Sequence, residues 1–99
     1  MSRYARKIGN TPASWEDPSI AYDGSLASSI VIQVTGSISV SYTPQVSIDG
    51  TTFFDATAVD QNLNTTTAIA SPGVYYVSGP ALIKLTGGTG GTFTIAATP

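Results

Sequence analysis

The sequence predicts an all-β fold, a sandwich or barrel of roughly six to eight short strands. Three observations carry this. Ser and Thr together make 26 of the 99 residues, with only 10 charged residues, which favours strands and turns over helices. Apolar residues alternate with polar ones at a period of two in several separate runs, the signature of a half-buried strand. Turn signals recur about every ten residues: Asp23-Gly24, Asp49-Gly50, Ser71-Pro72-Gly73, Ser78-Gly79-Pro80 and the run Gly87-Gly88-Thr89-Gly90-Gly91. A chain of 99 residues is one domain with a single two-layer core.

Residues 1–19 show no alternation, and Gly9, Asn10, Pro12 and Pro18 rule out a lasting helix. Three bulky apolar groups, Tyr4, Ile8 and Trp15, have no use in a solvated tail. The expectation is an extended N-terminal arm over residues 1–19 that lies on a neighbouring subunit, followed by a β-domain over residues 20–99. In the domain, residues 28–35 (SSIVIQVT) form a strand with Ile30, Ile32 and Val34 on one face and Val31 partly covered on the other. Residues 37–48 form the next, with Ile38, Val40, Tyr42, Val46 and Ile48 facing the core, and Gly36 too short a link for anything but a hairpin. Pro44 lacks an N–H and predicts an edge or a bulge. Asp49-Gly50 turns the chain into Phe53 and Phe54. Residues 55–64 read as a loop, and 65–70, 74–77, 81–86 and 92–97 as strands. In the last two, Ile83 and Leu85, then Phe93, Ile95 and Ala97, share a face, and Gly87 to Gly91 read as a hairpin loop between them.

The composition excludes several chemistries. Without Cys there is no disulfide framework or thiolate site, and without His the commonest general base and metal ligand is missing. No stretch approaches 18 apolar residues, and no apolar run follows the basic start, so neither a membrane span nor a signal peptide is expected and the chain is taken as made in the cytoplasm. The glycine-rich run precedes a strand, whereas a phosphate loop precedes a helix. Asp49, Asp55 and Asp60 show no calcium-loop spacing and no paired arrangement, so the reading is of a non-enzyme without metal or cofactor. Arg3, Arg6 and Lys7 are three of the four basic residues; from Ile8 onward Lys84 stands alone against six carboxylates, a net charge of −5. Three cations on an acidic body are too few for nucleic acid and suit an acidic protein surface. Exposed aromatics beside polar loops offer a second site type, a sugar platform of Gln61, Asn62, Asn64, Tyr75 and Tyr76.

Val46-Ser47-Ile48-Asp49-Gly50-Thr51-Thr52-Phe53 resembles the S-x-D-G-T-x-W/F strand-turn-strand of discoidin-like, galactose-binding-type jelly rolls. Residues 81–97 (ALIKLTGGTGGTFTIAA) are similar to that family's late strand, glycine-rich loop and closing strand. Here Phe53-Phe54 replaces the Trp, Leu82-Ile83-Lys84 replaces an Arg-bearing strand, and the sugar-binding loops have no counterpart. The same signatures occur in small virion proteins of tailed bacteriophages that decorate capsids or adapt tail parts. The resemblance, over residues 37–97, implies a single antiparallel jelly-roll sandwich in which an aromatic after the turn plugs the core. It implies a bacteriophage capsid cement or decoration subunit, a structural protein of the virion assembled in the host cytoplasm. The partners expected are the major capsid protein or other virion subunits, with the chain in many copies or as a homo-oligomer and with neither nucleic acid nor membrane as partner. Arg3, Tyr4, Arg6, Lys7, Ile8 and Trp15 are the residues expected to bind them. The alternative is a carbohydrate-binding or adaptor module of a phage tail or fibre.

Overall fold

The computed structural model describes residues 5–6, 12–24, 28–79 and 81–98. Among the described residues eleven strands run in chain order: β1 (Ala5–Arg6), β2 (Ala13–Ser14), β3 (Tyr22–Gly24), β4 (Ser29–Val40), β5 (Thr43–Ser47), β6 (Phe54–Asp55), β7 (Ala58–Asp60), β8 (Thr65–Thr66), β9 (Gly73–Ser78), β10 (Ala81–Thr86) and β11 (Thr89–Thr98). Sheet A has the order β1-β3-β10-β5-β6 and sheet B the order β2-β11-β4-β9-β7-β8. All pairings are antiparallel except that of β1 with β3, which is parallel. Eight strands, β2 to β6 and β9 to β11, change sheets in the sequence of a jelly roll, and β7 and β8 extend sheet B.

The alternating runs place their apolar members between the sheets. Ile30, Ile32 and Val34 of β4, Tyr75 and Val77 of β9, and Phe93, Ile95 and Ala97 of β11 come from sheet B; Tyr22, Pro44, Ile83 and Leu85 come from sheet A, and all are buried. Aromatic edges close one end of this core: Phe93 meets Tyr42 at 5.0 Å and Trp15 at 6.5 Å, and Trp15 meets Tyr22 at 6.4 Å, each near perpendicular. Tyr42 pairs with Ile69 by two backbone hydrogen bonds, and its hydroxyl donates to Gly90 O at 2.8 Å.

Several expected connections differ. Gly36 does not turn the chain. It sits at φ +80° inside the continuous β4, where the register against β11 shifts between Gly90 and Thr92. One left-handed glycine serves equally for a hairpin or a bulge, and here it bulges, because β4 finds its partners in β11 and β9. A second irregularity lies at Gly90 (φ +89°), where a Cβ would stand 2.5 Å from Ser37 O. The chain crosses to sheet A near Tyr42, so Val40 is half exposed and outside the core. The run Gly87 to Gly91 likewise carries the chain from sheet A to sheet B and contributes to β11 itself, so it is no hairpin loop. Asp23-Gly24 is not a turn; both residues are buried in β3. The segment read as loop 55–64 holds β7 and a tight turn at 60–64.

Pro44 stands opposite Leu85 in the interior of sheet A, on neither an edge strand nor a bulge. Leu85 N–H donates to Pro18 O and Pro44 O accepts from Ala56 N–H, both at 2.8 Å. The proline nitrogen therefore faces the two-residue β6 side, and no bond to β10 is lost.

Candidate functional site

The N-terminal residues expected to bind a partner divide sharply. Arg3, Tyr4, Lys7 and Ile8 lie outside the described residues. Arg6 is placed in β1, where its backbone stands opposite Asp23 at the outer edge of sheet A. Trp15 is not offered to a partner. It is 2% exposed in the core of its own sandwich, its N–H donates to Phe93 O at 2.9 Å, and its indole Nε1–H donates to Ile20 O at 3.0 Å. The segment from Ala13 to Pro18 thus belongs to the body rather than to an arm, through β2 on β11 and through Pro18 O on β10. A lone tryptophan between turn-forming residues has no periodicity to say which side it packs on, and that is why the sequence reading put it in an interface.

The polar–aromatic set is only partly available. Tyr75 is 5% exposed and its hydroxyl donates to Ser71 O. Gln61 Oε1 accepts from Val74 N–H at 2.9 Å and ties the β7–β8 turn to β9. Asn62 and Asn64 donate their backbone N–H groups to Asp60 Oδ1, and their side chains lie at the exposed surface with Tyr76. One exposed ring beside a turn is a flat patch, not a platform with convergent polar groups.

Three further carboxylates are bonded locally. Asp55 accepts from Gln45 Nε2 at 2.8 Å, and Asp17 accepts from the backbone and hydroxyl of Ser19. Asp49 Oδ1 accepts from Thr51 N–H, Thr52 N–H and the Ser47 hydroxyl. These donors, Thr52 first, hold its carboxyl below the usual carboxylate value. Among the described residues no three acidic side chains converge on one point.

The surface that sequence reasoning missed is the tip of the β5–β6 hairpin. Val46 stands opposite Phe54, and Ile48 lies two residues beyond Val46, so all three belong to the inward face of sheet A. Val46 packs against the core, but Ile48 is 81% and Phe54 67% exposed. Sheet A overhangs its partner here. With Ser47, Asp49 and Thr52 these residues line an open, mainly apolar cleft of about 240 Å³. Asp49 stands at its rim, exposed, while Asp55, paired with Gln45, lies on the opposite face of sheet A. Neither phenylalanine plugs the sandwich: Phe53 lies under Lys84, whose Nζ is 4.3 Å from the ring centroid, and Phe54 points into the cleft. Alternation told which way Ile48 and Phe54 face; it carried no information on whether the opposite sheet reaches them.

No family model matches the chain, and no curated protein or solved structure matches it.

Proposed function

We propose that this chain is a non-enzymatic structural subunit of a tailed-phage virion, a capsid cement or decoration protein that attaches to the shell through its N-terminal residues. The observation that carries this reading is where the adhesive groups fall. Three of the four basic residues, Arg3, Arg6 and Lys7, lie within the first seven positions, beside Tyr4 and Ile8, and Ala5–Arg6 within this stretch forms the outermost strand of sheet A. The rest of the molecule is an acidic sandwich in which Asp17, Asp49 and Asp60 are bonded within their own turns and Asp55 to Gln45. Basic side chains meet acidic patches on the shell, aromatic and aliphatic ones fill apolar pockets, and the sandwich acts as a rigid body. The resemblance of residues 46–53 and 81–97 to phage jelly-roll proteins points the same way.

The test uses tailed-phage capsid shells assembled without this chain, with the chain supplied in purified form. Charge reversal at Arg3→Glu, Arg6→Glu and Lys7→Glu lowers occupancy at least tenfold while the melting curve stays in place. Full occupancy by that variant overturns the reading. Saturable binding to one glycan, without shell binding, makes the chain a tail or fibre module instead.

A further inference from the structure

We infer that two copies of this chain pair face to face through the outer surface of sheet B, as a closed two-fold dimer. This goes beyond attachment to a shell and is tested without one.

Alternation leaves the outward positions of a sandwich in water, where polar and charged residues belong. Sheet A obeys: the outward residues of β10, β5 and β6 include Lys84, Gln45 and Asp55. Sheet B does not. Its register carries one outward row straight across β11, β4, β9, β7 and β8, formed by Ala96, Val31, Tyr76, Val59 and Thr65. Tyr76, in the middle, is 39% exposed, and Val31, Val59 and Ala96 beside it are half-buried. The next row, Ser14, Thr94, Gln33 and Val74, is uncharged as well. Among the described residues no charged side chain stands in either row. Asp60, at the end of β7, has the opposite parity and is bonded in its own turn, and Glu16 falls beyond the end of β2.

Charge selects the occupant. From Ile8 onward the chain carries a net −5. A cationic partner gains most beside the carboxylates, which lie elsewhere, so this face suits a partner that is itself flat and uncharged. A second copy presents such a surface, and meeting there keeps the carboxylates of two acidic bodies apart. Twisted sheets pack aligned, about 10 Å apart, with their facing side chains interdigitated. The same patch serves both sides, so the contact closes at two copies. Strands about 4.8 Å apart across sheet B, and the stretch of β4 from residue 29 to residue 35 at about 3.3 Å per residue, span about 500 Å² per copy. The total of about 1,000 Å² is the lower bound for a specific interface and fits a weak dimer, with Kd on the order of 10–100 µM.

Sedimentation velocity on the full chain, from about 5 to about 500 µM, reads the association directly. The mass rises from the 10.2 kDa monomer toward twice that value and no further. Because the interface holds no charge and the bodies repel, association is no weaker in about 500 mM than in about 50 mM salt. Tyr76→Glu sets a charge on each side of the contact and weakens it by about tenfold or more, with the melting curve in place. Gln33→Glu, at an exposed position of β4, weakens it by about threefold or more and decides the case should Tyr76→Glu lower the melting temperature. Ile48→Ser with Phe54→Ser removes the other exposed apolar surface and leaves the dimer unchanged. A monomeric wild type at the highest concentration, growth past the dimer, or weakening by salt overturns the proposal. So does a dimer that tolerates both glutamates, or one lost only with the tip variant. Dimers that fail to bind shells strike the proposed function alone, and shell binding by a strictly monomeric chain strikes this inference alone.

Discussion

Replacing Trp15 by Ala tests where the body of this protein begins. The indole is 2% exposed, touches Tyr22 and Phe93 by ring edges at 6.4 and 6.5 Å, and donates to Ile20 O. A side chain of this kind removes roughly 150–250 Å² from water, about 4–6 kcal/mol in gross transfer terms at ~25 cal/mol per Å². Alanine keeps part of that and leaves a cavity that only partly collapses, so the net loss is about 3–5 kcal/mol. Trp15→Phe keeps a ring but loses the indole hydrogen bond, and costs about 1–2 kcal/mol. For a domain of this size such a loss is a large share of a total of roughly 5–15 kcal/mol. Urea denaturation followed by far-UV circular dichroism is the assay, since Trp15 is the only tryptophan and fluorescence vanishes with it. With a slope near 2 kcal/mol per M, the Ala midpoint drops by about 2 M. In the unmodified protein the single tryptophan emits at short wavelength and resists acrylamide. An Ala variant whose midpoint moves by less than about 0.5 M would refute the packing described for this end of the core.

Three further outcomes follow from the same contacts. Tyr42→Phe removes the hydroxyl that donates to Gly90 O and lowers stability by about 1 kcal/mol; an unchanged melting temperature contradicts that bond. Gly90→Ala meets both a left-handed backbone and Ser37 O at 2.5 Å from the new Cβ, so it costs about 2–4 kcal/mol, read by calorimetry as a fall of about 10 °C or more. Asp49 has a folded-state pKa below its unfolded value, so the folded chain binds fewer protons and stability rises with pH through that interval. Its contribution is full above the unfolded value of 3.8 and is lost as pH falls through the folded one. Between about pH 5 and pH 2.5 the wild type therefore loses melting temperature more steeply than Asp49→Asn, and parallel curves in a pH series of thermal melts contradict the loop bonds.

The parts of the fold that were legible in sequence are those where a period of two settles the question. Ile30, Ile32 and Val34, then Ile83 and Leu85, then Phe93, Ile95 and Ala97 face inward as their spacing requires, and each is buried. Period says which face a residue takes; it does not say which strand lies beside it. Residues 28–35 and 37–48 therefore looked like two arms of a hairpin, when Gly36 only kinks one strand, Ser29–Val40, that pairs with β11 and β9. Coverage was also invisible: Ile48 alternates correctly and still meets solvent, because sheet B ends short of it. The candidate site was read least well. Trp15 carried no local pattern, and Tyr75 and Tyr76 differ only in parity, one buried and one 39% exposed.

The order of strands in space has a consequence for how the molecule is made. β10 joins β3 to β5, and β11 joins β2 to β4, so the two latest strands are the keystones of both layers. A nascent polypeptide that has reached only residue 79 can pair β9 with β4 and β7, β1 with β3, and Tyr42 with Ile69, but it lacks the strands that tie these pieces together. Neither layer closes until the stretch from Ala81 to Thr98 has cleared the ribosome. Folding is therefore paced by distant pairings rather than local ones, and it proceeds in the slow range typical of such β architectures.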